Sequence, residues 1–357
     1  MSKKEIVFRT KSNNYKYASW LIESFKYNGY TVKIVLEKPL VAHNCGVLEI
    51  DEKKIILDWC DTAFKIYDEI ESCDLYFKAN LSTELINGEV LRGYDRKDFK
   101  EFIEKYNQYK SKIKPWVLGR VVKYDSPLPS FIKSFGKIHI INKFYIPFIG
   151  ILGEKLGELF NRPIVHEFCN EEKKYSLTTY TRGTGESKHF FAKNRHVCYR
   201  ILKRILGAKF NLVYIEEENA VYMNFWKYLL DRKDPLIEVT NVNFDEYLKL
   251  LSQSKFILNV SGIKGSNPFR CVDACLSNCC VISDKIYADS YKSFPRIDLP
   301  LNVQQGEYDR ERTKEILVDL MNREDEIYND LLKKQKEWFE KHLSMKNNCK
   351  QILRVLK

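Results

Sequence analysis

Residues 255 to 274 read Lys-Phe-Ile-Leu-Asn-Val-Ser261-Gly262-Ile-Lys264-Gly265-Ser266-Asn267-Pro268-Phe-Arg270-Cys-Val-Asp273-Ala, and their types suit the binding of an anion. A strand is expected to end at Ser261. A glycine-containing loop follows, and Asn267-Pro268 supplies a helix N-cap with proline at the first helical position. Such a helix start offers free backbone N–H groups and the positive end of the dipole to a diphosphate. Arg270 in the first turn could add a bidentate contact. Asp273, one turn later, could accept hydrogen bonds from ribose or sugar hydroxyls. The alternative is a surface loop on which Arg270 and Asp273 pair with each other at i, i+3.

A second glycine-containing turn, Thr181-Arg-Gly-Thr-Gly-Glu-Ser-Lys188, lies between an expected strand and an expected helix. It is not a P-loop, because Ser187 stands where that motif needs glycine before the lysine. It is not a dinucleotide fingerprint either, because Lys188 stands in place of the third glycine. From Ser187 to Lys209 there are seven Lys or Arg and no acid, which favours an anionic partner. For Lys203, Arg204 and Lys209 a solvated helix face is the simpler reading.

The run of strand, loop, Ser-x-x-Phe-Arg-x-x-Asp-Ala and a small-residue link into Val281-Ile282-Ser283-Asp284 resembles the sugar-nucleotide half of exostosin-like glycosyltransferases of the GT-B fold. In that family the serine is followed almost directly by Phe-Arg and the acidic residue is usually Glu. Here Asn267-Pro268 is interposed, and Asp273 replaces the Glu. The usual Gly-Cys-x-Pro-Val-Ile reads Asn278-Cys279-Cys280-Val281-Ile282, without the Gly or the Pro. The resemblance covers Leu251 to Asp284 well, Ser176 to Leu206 loosely and the first half in outline. It implies two Rossmann-like domains facing a cleft, with Arg182 and Lys188 neutralising the leaving nucleotide diphosphate and inversion at the transferred carbon.

Glycosyl transfer to a hydroxyl needs a base, and Asp58-Trp-Cys-Asp61 puts two carboxylates at the end of an expected hairpin strand. Asp61 is preferred over Asp58, and capping of the turn by both carboxylates is the alternative. Bacterial relatives of GT-B outline often carry a similar turn followed by Asp-x-Tyr-Phe-Lys, matched here by Asp74-Leu-Tyr-Phe-Lys78. No Asp-x-Asp occurs, which tells against the metal-dependent GT-A class. Basic side chains and a helix end are expected to do the ion's work, with no metal and no cofactor.

The elements that must position these residues alternate in the pattern of βαβ units. In the second half, strands are expected at Tyr175 to Thr181, Phe210 to Ile215, Leu236 to Val242, Phe256 to Val260 and Cys280 to Ser283. Helices are expected at about Lys188 to Leu206, with an apolar stripe of Phe191, Cys198, Ile201 and Ile205, and at Ala220 to Leu230 and Phe244 to Leu251. In the first half the pattern predicts strands at Ile6 to Arg9 and Thr31 to Leu36 and a helix at Tyr17 to Tyr27. A hairpin of Val47 to Ile50 with Lys54 to Leu57, a helix at Phe64 to Ile70 and a strand at Leu75 to Lys78 follow.

The chain has 357 residues, 44% of them hydrophobic and 30% charged, with a net charge of +11. That excludes a disordered tail, a collagen-like fibre and a small disulfide scaffold, and the length suits two α/β domains. The N-terminus shows no signal peptide. The ten cysteines read as buried thiols in a reducing compartment, without metal-ligand spacing. From Ser126 to Gly153 there is no acid, while three lysines punctuate a run rich in Phe and Ile. Its uninterrupted uncharged run, Phe144 to Gly153, is too short for a transmembrane helix, which takes about 20 residues. Residues 131–152 suit either a membrane surface, beside a lipid-linked acceptor, or a buried helix pair.

These readings combine into an α/β protein of GT-B type with an acceptor-side domain at 1–168, a nucleotide-sugar-binding domain at 169–310 and helices at 311–357 packing across both. The expected activity is metal-independent transfer of a sugar from a nucleotide-sugar to a glycan or lipid-linked acceptor in surface polysaccharide synthesis. The protein is expected in the cytoplasm, peripherally at the membrane. Donor binding falls to Arg182, Lys188, Ser261, Ser266, Asn267, Arg270 and Asp273, and the base is Asp61 or Asp58. A different class, a nucleic-acid-binding protein using the basic helix 188–209, lacks interleaved stacking aromatics. A P-loop kinase would need Mg-dependent ATP binding at Gly183 to Lys188.

Overall fold

The computed structural model describes residues 4–10, 17–36, 44–120, 122–124, 163–164, 171–182, 198, 201–202, 204–205, 212–217, 244–267 and 269–356. The chain divides into one unit of residues 1–120 with 168–357 and a second of residues 121–167. In the second unit, Lys123–Tyr124 pairs antiparallel with Pro163–Ile164.

The first half of the larger unit is built on a mixed six-stranded sheet. Strands β1 (Glu5–Thr10), β2 (Thr31–Leu36), β3 (Cys45–Ile50), β4 (Lys53–Asp58), β5 (Leu75–Lys78) and β6 (Ile113–Pro115) lie in the order β2-β1-β3-β4-β5-β6. β3 and β4 form the expected hairpin, and its two-residue turn puts Asp51 at φ 48° and Glu52 at φ 66°. Both central residues left-handed is the turn whose twist matches the flanking strands. Ile55, Ile56 and Leu57 of β4 are fully buried, as suits a central strand covered on both faces. Helices α1 (Ser19–Tyr27), α2 (Thr83–Ile86) and α3 (Arg96–Tyr109) flank the sheet.

The second half is an all-parallel sheet. β7 (Tyr175–Arg182), β8 (Leu212–Glu217), β9 (Ser254–Asn259), β10 (Cys280–Ser283) and β11 (Ile297–Asp298) run in the order β8-β7-β9-β10-β11. α4 (Phe244–Ser252) leads into β9, and α5 (Arg270–Leu276) crosses over to β10. Phe256, Ile257 and Leu258 are completely buried, so the sheet is covered on both faces, as parallel sheets are. Cys198, Ile201, Leu202 and Ile205, all helical, pack on this core or beside it. The expected strand at 236–242 and helix at 220–230 lie outside the described residues, as does Phe191. The strand at β11 was not foreseen.

The helix expected over Phe64 to Ile70 does not form; a 3-10 turn at Asp68–Ser72 takes its place. Phe64, Ile66 and Ile70 are buried all the same, because Phe64 stacks on Phe99 of α3 with centroids 4.4 Å apart and Tyr67 N–H donates to Tyr76 Oη. Tertiary packing produced the apolar spacing that resembled helical periodicity.

Helices α6 (Arg310–Asn322), α7 (Glu324–His342) and α8 (Lys350–Leu353) close the chain. Tyr328 and Leu331 of α7 join the core of the second half, while Phe339 meets Trp20 of α1 edge-on. Trp20 Nε1 donates to the Leu343 carbonyl at 2.7 Å, and Cys349 and Ile352 enter the core of the first half. None of the nine described cysteines is in a disulfide, and all are buried. No described helix is long and apolar enough to cross a membrane.

Candidate functional site

Asp58 ends β4 and is fully buried. Its Oδ2 accepts Tyr76 O–H at 2.7 Å and Lys78 Nζ at 3.0 Å, and its Oδ1 accepts the Cys60 N–H at 2.8 Å. Tyr76 and Lys78 lie on one face of β5, and β4–β5 pairing sets Lys78 opposite Asp58. Burial, reinforced by Asp58, pushes the Tyr76 hydroxyl well up, which keeps it a proton donor to the carboxylate. A carboxylate so enclosed and so satisfied presents no face to a substrate; Asp58 holds the turn that carries Asp61.

Asp61 is exposed, yet enough protein surrounds its carboxyl that lost hydration raises its pKa. Asp58 adds to the rise, while Lys78 and Lys264 oppose it. A solvent-reached carboxylate with a raised pKa is a better base than an ordinary surface aspartate.

The loop after β9 is tighter than a surface turn. Ser261 N–H and O–H donate to the Asp284 carboxylate at 2.7 and 2.8 Å, and Gly262 N–H donates to the Ser266 carbonyl at 2.7 Å. A Cβ on Gly262 would lie 2.0 Å from Ser266 Oγ, so no side chain fits there without rearrangement. Lys264 and Gly265 both take left-handed φ values, 58° and 76°. Ser261 therefore uses its hydroxyl within the fold, and Ser266 is buried in the loop.

Helix α5 starts at Arg270 with Phe269 as N-cap, two residues later than the expected Asn267 N-cap, and no side chain caps it. The reason is that Asn267 is engaged elsewhere: its N–H donates to Asn80 Oδ1 at 3.0 Å, and its own Oδ1 accepts from Asn259 at 3.4 Å. With seven residues, α5 has little dipole to offer an anion. What stands at its start is the Arg270 side chain, only 6% exposed. Its Nη1 donates to the Val260 carbonyl at 3.0 Å, and its buried Nε has no acceptor among the described residues.

Asp273 does not pair with Arg270. Its Oδ1 lies 3.1 Å from Nε of Arg120, which comes from the first half, and its Oδ2 accepts Tyr247 O–H at 3.4 Å. Burial raises the Asp273 carboxyl to about 6 against the pull of Arg120 and Arg270. After α5, Asn278 sits at φ 48°, a left-handed conformation that asparagine tolerates where glycine is the usual choice.

The two regions meet at the carboxyl ends of the sheets, the side where open α/β sheets bind ligands. Ala63 N–H donates to the Lys264 carbonyl at 3.0 Å, and Gly265 packs on Ala63, Leu91 and Tyr287. Asn80 Nδ2 donates to the Cys60 carbonyl at 3.0 Å while its Oδ1 holds Asn267. Lys285 Nζ lies 2.9 Å from the carboxylates of both Glu84 and Glu89. A cavity of about 1170 Å³ opens beside this junction, bordered by Asn44, Cys60, Thr62 and Lys264 at one end and by Asp98, Glu101 and Glu104 of α3 at the other. Among the described residues no group of three His, Cys, Asp or Glu side chains could hold a metal ion.

Asp61, Ser261, Ser266, Asn267, Arg270 and Asp273 are thus gathered around one junction, with Asp58 beneath it. Arg182 ends β7, its side chain outside the described set; Lys188 and the basic helix 188–209, apart from its few described positions, lie outside the described residues, as does 131–152. Sequence reasoning missed Arg120, Tyr247, Asn80 and Asp284 as partners. Asp284 alone carried a signal, closing the motif Val281 to Asp284.

No protein-family model matches the chain, and no curated protein matches it. Among solved structures it is similar to Anabaena HepE in complex with UDP and glucose, with a TM-score of 0.47 and 10% identity over 99% of each chain. It is also similar to S. aureus TarM, with a TM-score of 0.45 and 10% identity over 81% of this chain, which spans 45% of TarM. WaaG, a glycosyltransferase involved in lipopolysaccharide biosynthesis, gives a TM-score of 0.41 and 10% identity over 80% of this chain and 75% of that one.

Proposed function

We propose that this protein is a GT-B glycosyltransferase that moves a sugar from a nucleotide-sugar to a hydroxyl of a glycan or lipid-linked acceptor in surface polysaccharide synthesis. The observation that carries the reading is the Arg270 guanidinium, nine-tenths buried at the carboxyl end of a parallel sheet with an N–H that lacks an acceptor among the described residues. A buried, unsatisfied cation costs free energy that an incoming anion offsets. A diphosphate supplies several acceptor oxygens in the region where α/β sheets take nucleotides.

In this reading residues 169–310 bind the donor, residues 1–168 face the acceptor, and 311–357 brace both. Arg182, Lys188 and Arg270 offset the charge of the leaving diphosphate without a metal. Ser261, Ser266, Asn267 and Asp273 shape the loop and helix around it. Asp61 removes the acceptor's proton as the bond to the anomeric carbon forms, and inversion follows from a single displacement. Residues 131–152 hold the enzyme at the cytoplasmic face of a membrane.

A thermal-shift panel of UDP-, GDP-, CMP- and dTDP-sugars tests the donor class, because a ligand that binds only the folded state raises the melting temperature. One nucleotide class should stabilise the wild type, and Arg270→Ala should abolish that shift while unfolding with a single transition. A wild-type protein indifferent to every nucleotide-sugar would overturn the reading.

A further inference from the structure

Among the described residues, the cavity beside the junction is lined by the first half between Asn44 and Gln108 and by one side chain of the second half, Lys264. Lys264 holds a left-handed conformation, φ 58° and ψ 31°, which suits glycine and which a lysine adopts only at a cost in free energy. The fold enforces it. The Lys264 carbonyl accepts the Ala63 N–H at 3.0 Å, and Gly265 behind it packs on Ala63, Leu91 and Tyr287. The turn is thereby anchored two residues from Asp61, and the lysine side chain leaves it exposed at the edge of the cavity. A glycine would fit this backbone with less strain, so the reason for a lysine lies in its side chain.

The protein does not neutralise that cation. Among the described residues no carboxylate lies within ion-pair distance of Lys264, and Asp61 is near enough only to feel its charge. The other two lysines of the lining are engaged, Lys105 by Asp68 and Lys65 over the Tyr67 ring at 4.8 Å. The far end of the cavity has the opposite sign, set by Asp98, Glu101 and Glu104 of α3. A ligand in this space meets a positive charge beside Asp61 and negative charges at the other end, and charge complementarity orients it.

We propose that this cavity holds the acceptor, and that Lys264 selects one whose reacting sugar carries an anionic substituent, a carboxylate or a phosphate, with uncharged sugars extending toward α3. The inference rests on the reading above, in which Asp61 is the base and the first half faces the acceptor. It gives a loop of the donor half a part in the choice of acceptor.

The test titrates the protein, without nucleotide, with methyl β-glucuronide, glucose 6-phosphate and methyl β-glucoside, followed by saturation-transfer NMR. At least one anionic sugar should bind about tenfold or more tightly than the neutral glucoside, the worth of a charge-assisted contact, and which of the two does so separates carboxylate from phosphate. Lys264→Gly should bring that sugar within about twofold of the glucoside without lowering the melting temperature, because glycine accepts the left-handed turn. Equal binding of the three sugars, binding of none, or a preference that survives in Lys264→Gly would overturn the inference. A glycine variant that instead weakens the nucleoside diphosphate, beside a wild type with no preference among the sugars, would overturn it too and assign the lysine to the donor. None of these outcomes touches the donor reading, which fails on its own terms if no nucleotide-sugar stabilises the wild type.

Discussion

Asn80 Oδ1 accepts the backbone N–H of Asn267 at 3.0 Å, and the same side chain donates through Nδ2 to the Cys60 carbonyl at 3.0 Å. One buried amide thereby fixes the distance between the turn that carries Asp61 and the loop that leads into Arg270. The linkage spans 187 residues of sequence, and it couples the Asp61 turn to the Arg270 loop.

Asn80→Ala removes both bonds and leaves the Asn267 N–H and the Cys60 carbonyl without their partner. The loss should be a few kcal/mol of stability at most, about 1–3 for groups left unsatisfied in the interior. Sugar transfer should fall further than donor binding, because misplacement of the two reacting groups costs rate more than affinity. Steady-state kinetics beside a nucleotide-binding isotherm separates the two.

Asp61→Asn should lower the rate of transfer by about a hundredfold or more while nucleotide binding persists, as expected when a general base is removed. Because its pKa is raised, the carboxylate gains its proton, and the reaction slows, at a pH above the ordinary aspartate range as the solution is acidified. A rate profile whose acidic limb survives unchanged in the asparagine variant would show that another group titrates.

Lys78→Met leaves the Asp58 carboxylate buried without its cation. Breaking one partner of such a pair costs roughly 3–5 kcal/mol. The pair itself is worth less than that figure, so Lys78→Met combined with Asp58→Asn should recover much of the loss. Urea unfolding midpoints of the two single variants and the double variant decide whether the recovery occurs.

Asp273 sets a pH dependence of stability. Its folded pKa of about 6 lies above the ordinary 3.8, so the fold favours the neutral acid. That contribution is fully present below the unfolded pKa and is lost as pH rises through the folded one. The stability of the wild type relative to Asp273→Asn should therefore decline from pH 3.8 to about 6 and level off beyond it. Arg120→Ala should move the decline to higher pH, because the guanidinium beside Asp273 holds its carboxyl down. Paired urea titrations across that interval test the sign.

The sequence by itself determined the elements whose signals are local. The hairpin of β3 and β4 followed from alternating apolar residues around Asp51-Glu52, and the strands at β9 and β10 followed from continuous apolar runs that only a sheet covered on both faces can bury. The Ser261 to Asp273 stretch was legible as a strand-to-helix turn because glycine, arginine and an apolar strand end lie within 13 consecutive residues. The absence of a glycine before Cys279 was harmless, since Asn278 takes the left-handed conformation unaided.

Tertiary structure alone decided which of the charged groups are buried and with which partners. Asp58 and Asp61 are three residues apart and chemically identical, and only the pairing of β4 with β5 buries the first against Lys78 and Tyr76. Asp273 lay within reach of Arg270 in sequence, but Arg120, 153 residues away, reached it instead. Periodicity and capping report on neighbours a few residues apart. Burial and partner choice depend on where distant segments come to rest, and no local pattern encodes that.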